Sequence, residues 1–165
     1  MSIDDELSVI AEQERLLVWP RFDLNTAWEL GSRLRQRAQA QKLAVAIDVT
    51  LHATSVFYSA LEGSTPDNAR WVKRKRNVVL HFLRSSYGIG RRLAKQNSNL
   101  QEKFALPDSD YAAHGGSFPI NVEGAGCVGA VTVSGLPQRE DHDLVVAVLC
   151  EMLGVEPGRL MLPSD

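Results

Sequence analysis

Between residues 45 and 51 the chain alternates with a period of two, and no other feature constrains its folding so firmly. Val45, Ile47, Val49 and Leu51 interleave with Ala46, Asp48 and Thr50. That spacing puts an apolar set on one face of a strand and a small or polar set on the other. His52-Ala53 reads as a turn, and Ser55–Ala60 returns as a second strand, so the segment is a hairpin. An isolated hairpin is marginal in water, so further strands or helices must cover this one.

The rest of the chain supplies both. A second strand pair, about 117–123 and 127–134, is joined by the tight Glu123-Gly124-Ala125-Gly126. Residues 2–17 predict a helix capped by Ser2, with Asp4, Asp5 and Glu6 at its positive end, and Trp19-Pro20-Arg21-Phe22 breaks it. A second helix, about 25–42, is capped by Asn25 or Thr26 and buries Ala27, Leu30, Leu34 and Ala38. Thr65 and Pro66 open a third helix to about residue 84, with Trp71, Lys75, Val78, Val79 and Phe82 on its core-facing side. A shorter helix over 86–97 and a polar loop over 98–113 come next. The last helix opens near Pro137 and gathers Leu144, Val145, Val148 and Leu149 on one face. The resulting order, ααββααββα, predicts an α+β fold: an antiparallel sheet covered by helices. A length of 165 residues suits one domain over 1–165.

With 44% hydrophobic and 23% charged residues the chain is not globally disordered. No apolar run approaches the ~20 residues of a membrane span, and the acidic N-terminus lacks a signal-peptide layout. The expectation is therefore a cytoplasmic protein with no membrane partner. Cys127 and Cys150 sit among apolar neighbours and read as small buried residues.

Charge is segregated. Asn68 to Gln101 holds nine Lys and Arg and no acid, leaving −11 on the remainder of a chain whose net charge is −2. Three explanations stand: a solvated helix face, complementarity between subunits, or an anion site in which Arg74 or Arg76 meets a ligand such as haem. Nucleic acid is not expected, because no aromatic residues interleave Lys73 to Arg76.

The candidate site is the glycine-rich segment. Gly115-Gly116 follows His114 and permits positive φ or close backbone approach before Ser117 enters a strand. Ser134-Gly135 leads to the last helix, where Glu140 and Asp141 compensate the helix end and argue against a phosphate site. Gly124-Ala125-Gly126-Cys127-Val128-Gly129 matches GxGxxG but lies between strands, so it is no dinucleotide fingerprint. His114 and His142 flank the hairpin as candidate ligand residues; His81 is expected partly buried in its helix and His52 at the surface. There is no HxxxH, HExxH, CxxC or GxSxG spacing and no nucleophile–base pair. No metal site is expected, and any redox or degradative chemistry would belong to a bound group.

The string His114-Gly-Gly-Ser-Phe-Pro-Ile120, then Gly126-x-x-Gly129-Ala130-x-x-Val133-Ser134-Gly135, then Glu140-Asp141 opening a helix, resembles the haem-degrading-domain family, also called GlcG/HbpS-like. The form HGGSFPI with VSGLPQREDHDLVV, and the helix WVKRKRNVVLHFLRSS, look closest to a branch found in bacteria and yeast, and the likeness covers about 25–150. It implies a profilin-like, three-layer α-β-α fold. It also implies homo-oligomers built as rings or stacked rings, and haem or another small anionic ligand in some members. His114 would be the axial donor, with His142 second. Two departures stand out: Thr132 occupies a position where many relatives have glycine, and His114 precedes the glycine pair. No haem-coordinating residue carries over from the haem-binding members. The other reading is a non-enzymatic assembly or adaptor protein whose rings present a protein-binding surface.

Overall fold

The alternation at residues 45–51 and the return over 55–60 become the hairpin β2 (Ala46–Leu51) and β3 (Thr54–Ala60), at one side of a five-stranded sheet. This is a computed structural model, and it describes residues 1–162. The element order is α1 (Ile3–Leu16), β1 (Val18–Trp19), α2 (Leu24–Ala40), β2, β3, α3 (Pro66–Phe82), α4 (Ser86–Lys95), α5 (Leu100–Phe104), β4 (Ser117–Val122), β5 (Gly126–Ser134) and α6 (Gln138–Leu153). A 3₁₀ turn at Gly158–Leu160 comes last.

The strands run in the order β1-β4-β5-β2-β3. The four long strands pair antiparallel, as expected. The edge differs: Val18-Trp19 does more than break a helix, and pairs with Asn121-Val122 in parallel. Two residues are too few to show a period, so no local signal marked this strand. The polar loop likewise contains α5, capped by Asn99, whose side chain accepts from the Glu102 N–H. α2 is capped by Asp23 rather than Asn25 or Thr26, through the Thr26 N–H at 2.8 Å.

The two faces of the sheet differ in kind. One carries Val45, Ile47, Val49, Phe118, Ile120, Val131 and Val133, all fully buried with side chains of α2 and α6 in the main core. The other carries Asp48, Thr50, Ser117, Thr132 and Ser134, also buried. Register lines up Ser117, Thr132 and Asp48 across three strands, and α3 lies over this face. α4 packs beside α3, and α1 packs on α4.

That arrangement accounts for much of the charge segregation. Acidic α1 meets basic α4 through Glu6 with Arg91 at 2.6 Å and Asp4 with Lys95, while Glu14 pairs with Arg84 at 3.1 Å. Within the fold Arg76 reaches Asp48 at 3.4 Å. Much of the basic block is therefore matched inside one chain, an outcome outside all three explanations that charge patterning suggested.

Candidate functional site

α3 crosses the polar face of the sheet and leaves a cleft of about 310 Å³ beside its N-terminal half. Asn68, Trp71 and Lys75 recur at one-turn spacing along the helix and form one wall. The opposite wall is His114 with Ser134, Leu136, Gln138 and Asp141. The Trp71 and His114 rings meet edge to face at 5.2 Å, and the Arg74 guanidinium lies 4.5 Å over the Trp71 ring.

The glycine pair shapes this wall. At Gly116, φ is +129° and an added Cβ would stand 2.2 Å from the Val133 carbonyl oxygen and 2.9 Å from Lys75 Nζ. At Gly115 it would stand 2.0 Å from the Gln138 carbonyl oxygen. Bare backbone is what lets β4 enter between β5 and α6.

Lys75 closes the floor. Its ammonium donates to Asp141 Oδ2 at 2.8 Å and to the Val133 carbonyl at 3.3 Å. Asp141 also accepts the Gly135 and Leu136 N–H groups. The two side chains are 4% and 1% exposed, so neither charge has water to fall back on. Burial pushes the Lys75 pKa down and the Asp141 pKa up, and their contact opposes both shifts. Partial burial lowers the His114 pKa, and nearby Lys75 and Arg74 lower it further. Neutral pH thus finds His114 as an uncharged imidazole at the cleft rim, with an exposed outer side.

Of the residues expected from sequence, His114, Ser134 and the backbone of Gly115-Gly116 come together here, with Arg74 at the rim through Trp71. Arg76 does not: it turns to Asp48 and Thr50 on the sheet. Ser117 is enclosed, its N–H given to Ser86 Oγ and its hydroxyl 2.8 Å from Thr132 Oγ1. His142 does not face the cleft. It is fully buried against Tyr87 and Phe118, with Nε2 2.8 Å from Gln13 Oε1. Burial drops its pKa to about 3, and Nδ1 has no partner among the described residues. The Gln13 amide donates to the Leu160 carbonyl, which turns its oxygen toward the imidazole and fixes the proton on Nε2.

Sequence reasoning missed Lys75 and Asp141 as site residues. Lys75 falls on the apolar stripe of α3, and a lysine at a core position was the available signal. Among the other expectations, His52 is exposed in its turn at φ +48°. His81 is exposed rather than partly buried, stacked edge-on with Phe82 and Tyr111. Cys150 is buried, whereas Cys127 is half-buried. No described helix is long and apolar enough to cross a membrane.

A three-layer fold with its cleft beside a glycine-paired strand defines a class, and comparison with known proteins supplies the family. The model for haem-degrading proteins of the HbpS-like type matches residues 22–150, and the chain belongs to this family. A UPF0303 protein of Rhizobium meliloti (strain 1021) is 58% identical over 164 residues, 99% of this chain and 100% of the relative. A UPF0303 protein of Serratia proteamaculans (strain 568) is 52% identical, covering 94% of this chain and 96% of its own length. Among solved structures, the Ybr137w protein is similar with a TM-score of 0.83 at 29% identity, over 90% of this chain and 87% of that one. HbpS gives 0.63 at 17% identity over 81% and 91% of the two chains. PduOC, solved as a complex with haem, gives 0.64 at 13% identity over 75% and 90%. The last two show the fold alone.

Proposed function

We propose that this is a cytoplasmic, self-associating, ligand-binding protein that holds a small anionic molecule in the Trp71–His114 cleft. One observation carries this reading: an edge-to-face aromatic pair stands over an interior where Lys75, Ser134 and Gln138 converge. A few convergent polar groups beside an aromatic wall are the usual make-up of a small-molecule site. Two unpaired cysteines suit a reducing compartment.

Haem, which the family's name raises and PduOC binds, has only part of what it needs here. The neutral imidazole of His114 suits an axial donor. The cleft matches the macrocycle less well: its volume is about 310 Å³, at the bottom of the ~300–1,000 Å³ range for ligand sites, and among the described residues its apolar walls are Trp71 and Leu136. Within one chain a haem would leave part of its macrocycle outside the cleft.

The test is a titration of the purified protein, in parallel, with haemin and with small organic anions. The readouts are the Soret band and the Trp71 and His114 NMR resonances. Small anions are expected to move both resonances while haemin keeps its free spectrum. A shifted Soret band that saturates near one haem per chain and disappears in His114→Ala would replace the small anion by haem.

Self-association has its own support. β3 is an edge strand, and its sequence Thr54–Ala60 has no charge or proline to discourage pairing. Beside it Trp28 is 65% exposed, Leu24 65% and Tyr58 51%. A second copy pairing through the same edge would cover this patch in a closed two-fold contact. Trp28→Glu is expected to lower the mass measured by light scattering; an unchanged assembly would move the interface elsewhere.

A further inference from the structure

The hydrogen-bonding character of the Trp71–His114 cleft narrows the class of ligand, provided that the cleft is the ligand site proposed for it. Asp141 is committed: it accepts from Lys75 and from the Gly135 and Leu136 N–H groups. The donors are less fully used. Lys75 has three N–H bonds, and two are engaged. Gln138 uses Oε1 to accept the Gly115 N–H, which leaves its NH₂ group without a partner among the described residues. Ser134 lines the cleft, and its hydroxyl likewise has no partner among them. Asn68 gives one N–H to the Ser134 carbonyl, at a long 3.4 Å, and keeps the other.

Four side chains thus offer spare donors around one space, while of its two carboxylates Asp141 already accepts three bonds and Asp67, at the exposed rim, faces Arg70 at 3.6 Å. Excess donors call for an acceptor. A carbonyl oxygen has two lone pairs, whereas an ionised carboxylate offers about four acceptor sites, the closer match to five spare hydrogens, two on Gln138 and one each on Lys75, Ser134 and Asn68. The charge balance permits it. Lys75 and Asp141 offset each other, as do Asp67 and Arg70 at the rim, two backbone N–H groups share the Asp141 charge, and Arg74 adds a cation behind Trp71. The edge-to-face pair of Trp71 and His114 then stands beside these polar groups, where the rest of the ligand must lie, and an aromatic wall favours a planar body.

We infer that the cleft selects a small planar carboxylate, its carboxylate held by Lys75, Ser134, Gln138 and Asn68 and its ring against Trp71 and His114. A cationic head group in the same place would meet the spare donors of Lys75, Ser134, Gln138 and Asn68, and would find Asp141 already engaged by three donors and Asp67 facing Arg70. An isosteric amide would satisfy fewer of them.

Benzoate, benzamide, benzylamine and inorganic phosphate are the probes, titrated into the full chain while the indole N–H resonances of its three tryptophans are monitored. Trp71→Phe assigns the relevant one. The expected result is a saturable shift of the Trp71 peak with benzoate, at least about tenfold weaker with benzamide and none with benzylamine. Lys75→Met is expected to abolish the shift. Because that change also breaks a buried pair, Ser134→Ala/Gln138→Ala provides the second variant, with binding expected to weaken at least about tenfold. Preference for benzylamine, equal binding of benzamide, or a response to phosphate alone would overturn the carboxylate class while leaving the cleft a ligand site. Silence of Trp71 and His114 toward every probe, haemin included, would remove the site itself and this inference with it.

Discussion

The two faces of the sheet are equally buried and chemically opposite. Against α2 and α6 lie Ile47, Val49, Val131 and Val133; one residue along each strand, against α3, lie Asp48, Thr50, Thr132 and Ser134. The apolar face is stabilised by surface removed from water, an effect that is non-directional and tolerant of substitution. The polar face stands only if each group finds a partner, because an unpaired buried donor or charge is costly. Asp48 shows the requirement: its oxygens accept from Thr50 at 2.6 Å, from Ser55 at 2.5 Å and from Arg76 at 3.4 Å. What polar burial gives in return is a cleft with directed hydrogen bonds, which a face of valines does not offer.

Breaking the polar face at its deepest point carries the largest expected effect. Lys75→Met leaves Asp141 buried and uncompensated, and should cost about 4 kcal/mol in denaturant unfolding. Lys75→Met/Asp141→Leu should recover most of that loss, since an apolar pair can replace a buried ion pair. If the double variant is no better than the single one, the pair is not the reason for the loss. On the other face, Ile47→Ala should cost about 3 kcal/mol through lost burial and a cavity. It should leave the Trp71 resonance in place, and a moved resonance would mean the two faces are coupled.

His142 sharpens the comparison, being a titratable group enclosed beside Phe118 on the apolar side. Its folded pKa of about 3 lies below the ordinary 6.5, so the unfolded chain binds more protons between those values. Its contribution to stability is complete above about pH 6.5 and falls as pH drops, by about 2 kcal/mol at pH 5. Asp143, raised by burial to about 6, acts in the opposite sense over part of this window. The check is therefore the difference between the native chain and His142→Gln, unfolded at pH 7 and pH 5. The variant's deficit should shrink by that amount, and a constant deficit would mean His142 is not buried neutral. The smallest effect is expected at Thr132→Ala, which removes the hydroxyl 2.8 Å from Ser117 Oγ and should cost about 1 kcal/mol by thermal melt. A loss near zero would show that Ser117 finds another partner.

Much of the framework is legible in the sequence because its signals are local. The alternation of residues 45–51, the Thr65-Pro66 start of α3 and the turn at Gly124–Gly126 each act within a few residues, and each element formed within a residue or two of its expected bounds. The site is legible in part. His114 with its glycine pair points to the correct wall, but His142, its expected partner across the hairpin, turns inward to Gln13, 129 residues away.

What the sequence determined by itself, then, was the longer elements, though not β1 or α5, and which face of each would be apolar, since periodicity sets side-chain direction along a helix or strand. Only the tertiary structure decided which polar residues meet. Lys75 and Asp141 are 66 positions apart, and nothing near either names the other. They pair because α3 and α6 converge on the end of β5, where the lack of a side chain at Gly116 leaves room for a lysine to reach a carboxylate.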